Sequence, residues 1–244
     1  MHVIATKSAA AAGSGHRSPA AASGCRPFQR RLVVAVALAG LGILLLAVDL
    51  PVARWFRAHR LPGDLGRLVD LSEVFAHGLA VAVLLAVTVA LDPVLRRVAA
   101  ARGDIVRIVA AAYAGGLVVD MIKLVVTRVR PRAADLTAVA SALGTFGTSV
   151  ANGDVTGGGL TGKSSDLMSF PSGHAATAAG LATALCWKYP HGVPVFVALA
   201  TAAAMQRVTS SAHYPSDTAF GAAVGVAIAA LCLGCSRPRT GSAA

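Results

Sequence analysis

The sequence predicts an all-α membrane protein: a six-transmembrane-helix bundle with a disordered N-terminal tail. Three observations predict it. Of the 244 residues, 55% are hydrophobic and only 14% are charged, whereas a water-soluble domain carries roughly a quarter charged residues. The mean hydropathy is +0.67. The apolar residues also fall into six runs, at 32–50, 74–91, 105–127, 171–187, 192–206 and 216–235. A helix crosses the hydrocarbon core of a bilayer in about 17–25 residues.

Taken in order, residues 1–30 are rich in Ala, Ser and Gly with scattered basic residues, the composition of a disordered tail and not of a cleaved signal. The first two runs are clean apart from Asp49 at the very end of the first. Between them, "RWFRAHRLPGDLGRLVDLSE" sets Trp55 and Phe56 among basic residues, which suits a helix lying in the interface. The third run carries Asp120 and Lys123 near its end, one turn apart, and the carboxylate is read as the ammonium's partner. Residues 128–170 include "GTSVANGDVTGGGLTGKSSD", too polar to enter the bilayer. The fourth and fifth runs are short and joined by "KYPHG". Repeated Ala and Gly in the last three runs let helices approach closely. Residues 31–236 thus form one membrane domain, and 237–244 a short cytoplasmic tail.

The formal charge is +11, but aromatics are only 5% and no basic cluster is interleaved with them, which argues against nucleic acid as a partner. The arginines flank the apolar runs instead. Arg96, Arg97, Arg102 and Arg107 sit in one connection, and Arg237 and Arg239 near the end; with the basic tail they place both termini in the cytoplasm. The cysteines are Cys25, Cys186, Cys232 and Cys235. Their one CxxC lies in the last apolar run without a second ligand pair, so all four are read as ordinary small residues. Nothing in the pattern calls for a metal or other cofactor.

Six crossings bring the end of run three, the start of run four, the end of run five and the start of run six to one face, the outer one. Three polar clusters stand there: "KLVVTRVRP" (123–131), "PSGH" (171–174) and "QRVTSSAHYPSD" (206–217). Lys123 and Arg130 are seven residues apart, about two helical turns. Cations at the rim of a membrane helix are costly without an anionic partner, and Arg207 adds a guanidinium suited to phosphate oxygens. Pro171 suits a first helical turn, leaving amides near Ser172 and Gly173 free for an anion. His213 and Asp217 have i, i+4 spacing, so Asp217 is expected to hold one imidazole nitrogen and free the other as nucleophile or base. His174 is placed to protonate a leaving oxygen.

These motifs, in this order, resemble the type 2 phosphatidic acid phosphatase superfamily, which includes bacterial membrane lipid phosphatases and shares its core with vanadium haloperoxidases. The resemblance implies an integral membrane phosphatase of the bacterial plasma membrane, acting on a lipid phosphomonoester or pyrophosphate at the non-cytoplasmic face. His213 would form a phosphohistidine, Asp217 would orient it, and His174 would be the general acid. Lys123, Arg130, Ser172, Gly173 and Arg207 would hold the phosphate, with no metal. The third motif departs from the family in one place: Gln206 precedes Arg207 where the family usually has Ser.

Blander assignments cover the remaining polar residues. His77 is read as a satisfied core histidine, and Arg128 and Arg132 as solvated anchors. Three other functions share part of the pattern. A lipid phosphotransferase would use the same site, a haloperoxidase would hold vanadate in it, and a non-catalytic lipid-binding or transport protein would use the cations alone.

Overall fold

The computed structural model describes residues 26–97, 102–149, 151 and 164–235. The expected tail up to residue 25, the 237–244 tail, Cys25 and the Gly-rich centre of the 128–170 connection lie outside the described residues, as do the Arg96 and Arg97 side chains. Among the described residues the regular elements are all helical, and strand-like pairing is confined to isolated bridges.

The first helix, α1 (Arg26–Leu45), begins five residues inside the expected tail. Pro27 fits a first turn, where its missing N–H costs nothing, and the apolar run follows directly. The expected interfacial helix is two short ones, α2 (Asp49–Ala58) and α3 (Gly63–Leu71). They are separated by "HRLP", whose proline biases Leu61 away from helix. A 3₁₀ turn, Ser72–Phe75, then leads into α4 (Gly78–Leu91), and α5 (Pro93–Arg97) follows. The larger helices are α6 (Arg102–Val125), α7 (Gly173–Lys188), α8 (Val193–Thr209) and α9 (Pro215–Leu233).

Among the described residues four helical stretches can cross a membrane by length and apolarity: α1, α6, Pro190–Thr209 (a 3₁₀ turn plus α8) and α9. A fifth is the pair Gly63–Phe75 and Gly78–Leu91, bent by 72°. The expected count of six is not reached, because α7 has only 16 residues, about 24 Å of helix against roughly 30 Å of hydrocarbon. Nearly every residue of α7 from Ala175 onward is buried, so it is sheathed by protein and has little lipid to meet. The reverse holds for α1, where Val33, Val36 and Leu44 are 68–73% exposed and form a lipid-facing stripe.

Small residues set the helix spacing. α9 packs on α1, α6 and α7, and α7 also packs on α6 and α8. A Cβ on Gly225 would lie 2.2 Å from the Ala176 carbonyl oxygen, and one on Gly180 2.3 Å from that of Ala111. Gly221 is the functionally placed case, since its Cβ would stand 2.2 Å from the carbonyl oxygen of Ser172. Backbone cannot rotate aside as a side chain can. Gly221→Ala is therefore expected to destabilise by about 1–3 kcal/mol and to displace the turn that carries Ser172 and His174. Gly40 has nothing within 4 Å of its virtual Cβ, so Gly40→Ala is expected to leave stability unchanged or raise it by about 0.5–1 kcal/mol. Thermal unfolding of both variants in detergent checks the contrast.

Candidate active site

The first motif straddles a change of backbone. α6 ends at Val125, and the chain beyond it is pinned by the two ends of the long connection. Arg128 N donates to the Leu167 carbonyl (3.0 Å), Arg130 N to that of Asp166 (2.7 Å), and Ser169 N to that of Arg128 (3.0 Å). Val129 N donates to the Thr145 carbonyl at 2.9 Å. This ladder fixes Arg130 beside the segment that leads into the second motif.

In the second motif Ser172 is the N-cap of α7, its hydroxyl accepting from Ala175 N at 3.4 Å. Pro171 therefore lies before the helix and not in its first turn. The Ser172 amide is also not free, since it donates to the Asp217 carbonyl at 3.0 Å. Gly173 and His174 occupy the first helical positions, whose N–H groups have no acceptor within the helix. Gly173 also keeps the first motif close: its virtual Cβ is 3.3 Å from Lys123 Nζ. Lys123 pairs with Asp120 at 3.2 Å, the partner expected from the sequence.

The third motif wraps around the end of α8. The amides of Ala212 and His213 both donate to the Arg207 carbonyl, at 3.1 and 3.0 Å. Ser211 takes the left-handed conformation (φ 54°) needed to close that turn. Tyr214 then caps α9 with Pro215 at its first position, and Asp217, three residues on, accepts from Tyr214 N at 2.9 Å. Arg207 reaches His174, with Nη1 and Nε2 3.4 Å apart. His174 lies within electrostatic reach of His213 and Lys123, and His213 within reach of Arg130 and Lys123. The two histidines and three cations named from the sequence thus share one region.

The His213–Asp217 arrangement differs from the expected direct hydrogen bond. Nδ1 of His213 is 3.8 Å from the Asp217 carboxylate but 2.6 Å from the Ser169 carbonyl oxygen. A carbonyl only accepts, so Nδ1 carries the hydrogen and Nε2 presents its lone pair. Asp217 instead accepts from the Ser169 hydroxyl at 2.6 Å, bracing the residue that holds the imidazole. Burial lowers the pKa of His213 below the usual 6.5, with Asp217 opposing only in part. The folded protein keeps this ring neutral at pH values where the unfolded chain protonates it. Stability is therefore expected to fall as pH drops below about 6.5, and His213→Gln should remove that component of the pH dependence in thermal unfolding.

Arg128 overturns the reading of it as a solvated anchor. It is 0% exposed. Its guanidinium meets Asp217 Oδ1 at 2.5 Å, Asp49 Oδ2 at 2.6 Å, Ser216 Oγ at 2.9 Å and Thr145 Oγ1 at 2.8 Å. It also lies over the rings of Tyr214 (4.1 Å) and Phe146 (4.7 Å). Burial opposes its charge, but Asp217 and Asp49 outweigh burial and raise its pKa. Asp49, from the start of α2, also accepts from the Ser216 amide at 3.0 Å. Neither Asp49 nor Ser169 was singled out in the sequence. An aspartate ending the first apolar run was the available signal, because such a carboxylate needs a cation. Arg132 fits its assignment better: it is half exposed and pairs with Asp166 at 2.8 Å. His77 does not, being an exposed residue at the mouth of α4, 6.4 Å ring to ring from His174.

Glu73 was also missed. One of its oxygens lies 3.1 Å from Arg207 Nη2 and 3.7 Å from His174 Nε2, so it sits against the groups an arriving phosphate would need. Glu73→Gln should free Arg207 and tighten binding of inorganic phosphate by about two- to fivefold, read as its inhibition constant or by calorimetry. Arg130, in contrast, has a buried Nε without a hydrogen-bond partner among the described residues. Burial, with Arg132 beside it, lowers its pKa to about 10, and the group stays charged at neutral pH. A buried cationic donor left unsatisfied is suited to an anionic ligand.

Compared with known proteins, the chain matches neither a curated protein nor a solved structure. The sequence model of the PAP2 superfamily does match it, over residues 104–240, a stretch that contains all three polar motifs, all but the first two residues of α6, and helices α7 to α9; the chain belongs to the PAP2 superfamily.

Proposed function

We propose that this member of a superfamily of phosphatase-type hydrolases removes phosphate from a lipid phosphomonoester or pyrophosphate at the non-cytoplasmic membrane face, through a phosphohistidine on His213. The observation that carries the reading is the convergence of Lys123, Arg130 and Arg207 on two histidines, with the buried Arg130 Nε still lacking an acceptor. A lipid substrate is supported by the apolar helices that surround the site. The non-cytoplasmic face is supported by the basic flanks at the opposite end of the bundle.

In the proposed reaction, Nε2 of His213 attacks phosphorus in line with the leaving oxygen. The P–O bond to that oxygen breaks, and His174 delivers its proton there. Water then attacks the phosphorus, its proton passes to His174, and the P–N bond returns its electron pair to His213. The three cations face the equatorial oxygens, where stabilising charge counts most in phosphoryl transfer. The Ser169 carbonyl holds Nδ1–H, and the Asp217 carboxylate, 3.8 Å from that nitrogen, favours the cationic ring formed on phosphorylation through its charge.

The test is phosphate release in detergent, without added divalent metal, across phosphatidic acid, phosphatidylglycerol phosphate, a polyprenyl pyrophosphate and lipid A. Vanadate-sensitive release from at least one is expected. Release from none, with the phosphate recovered on an acceptor alcohol, would assign the protein as a phosphotransferase instead.

A further inference from the structure

Beside the proposed phosphate seat lies a cavity of about 530 Å³ that the reaction above does not use. It is walled by the end of α2, by α3 and by the turn after α8, and four arginines line it: Arg57, Arg60, Arg67 and Arg132. Asp70 is the one carboxylate among the lining residues. The positive charge is only partly neutralised. Arg57 donates to the carbonyls of Ala134 (2.8 Å) and Pro131 (3.4 Å), which are neutral acceptors. Arg67 pairs with Asp64 at 3.3 Å, but their side chains are 85% and 98% exposed, where such pairs hold little energy. Arg132 shares Asp166, and Arg60 is exposed.

Two physical links join this cavity to the phosphate seat. Asp70 accepts from Gln206 Nε2 at 3.4 Å, and Gln206 Oε1 accepts from Arg207 Nε at 2.6 Å. Gln206 is nearly fully buried, so this relay is an internal one, and it gives the unusual glutamine of the third motif a specific contact. Along the continuous helical piece Gly63–Phe75, Asp70 of α3 faces the cavity and Glu73 of the following 3₁₀ turn faces Arg207. Three residues of helix separate them, about 5 Å. Arg132 and Arg130 are likewise two residues apart, one lining the cavity and one the seat.

We infer that the arginine-lined cavity is a second anion subsite, which takes a second phosphate-type group of the same substrate, a few bonds from the reacting phosphorus. This rests on the phosphatase reading above and narrows its substrate class to lipids with two anionic groups in the headgroup. A single phosphomonoester would leave the four arginines without a ligand. Their forked, planar donors suit phosphate oxygens better than a carbohydrate or an uncharged alcohol.

The experiment compares two short-chain lipids with the same acyl chains. One ends in a phosphomonoester on diacylglycerol. The other ends in a phosphomonoester joined through a glycerol linker to a phosphodiester. The wild type is expected to favour the second in kcat/KM by about tenfold, the effect of one charge-assisted hydrogen bond. In Arg60→Ala/Arg67→Ala, two exposed positions where folding is not at risk, that ratio should fall towards one, through KM more than kcat. An unchanged ratio in the double variant would overturn the subsite. So would a third result: stimulation of the single-phosphate reaction by an anionic non-substrate lipid, abolished in the variant, would assign the arginines to a bystander lipid. If the wild type released phosphate from neither lipid nor from the wider panel, the phosphatase reading would fall first and the subsite with it.

Discussion

Replacing His213 by alanine is expected to abolish phosphate release, by roughly 10⁴-fold or more, while the protein still folds. The ring is almost fully buried, with its Nδ1 hydrogen committed to the Ser169 carbonyl, so removing it leaves a small void and one unmet backbone acceptor. Those costs are on the order of 1–3 kcal/mol, enough to lower the melting temperature but not to explain a loss of that size. The lost nucleophile does explain it. His174→Ala should be less severe, about 10²–10⁴-fold, and the defect should shrink for substrates whose leaving group needs no proton, such as a nitrophenyl phosphate. Equal defects on both substrates would remove the general-acid role.

Arg128 gives the largest expected effect on folding. Arg128→Met keeps the bulk of the side chain but strands two fully buried carboxylates, Asp49 and Asp217. Removing one partner from a buried ion network costs about 3–5 kcal/mol, a large share of the margin of most proteins. Poor expression or a melting temperature many degrees lower is expected. Arg128→Lys should fail almost as badly, because an ammonium cannot reach Asp49, Asp217, Ser216 and Thr145 together as the fork does. Double replacement tests the mechanism: Arg128→Met with Asp49→Asn should recover part of the loss, since one stranded charge is gone. An Arg128→Met protein as stable as the wild type would contradict the network.

Much of this arrangement can be read from the sequence because alternation across a membrane is a strong constraint. Once the apolar runs are marked, the three polar clusters must fall at one end, and the structure brings Lys123, Arg130, His174, Arg207 and His213 together there. Asp120 as the partner of Lys123 follows from a one-turn spacing. What the sequence does not expose are contacts made by irregular backbone. Arg128 reads as a rim cation because its neighbours Lys123 and Arg130 are, and only the ladder with residues 145 and 167–169 turns it inward. Ser169 enters the site by the same ladder. Glu73 arrives through a bend of 72° between two helical pieces, a geometry that hydrophobic periodicity does not encode. The described residues offer four or five spans in place of six for a related reason: α7 is short and its apolar residues satisfy protein neighbours, whereas those of α1 face outward.

The central claim is that His213 carries the phosphoryl group. Rapid acid-free quenching of the enzyme with a ³²P-labelled lipid phosphate, followed by peptide mapping, measures it directly. The account predicts an alkali-stable, acid-labile label on the peptide containing His213, formed in the wild type, formed more slowly in His174→Ala and absent in His213→Ala. Phosphate release without any such phosphoenzyme, or a label on another residue, would contradict it.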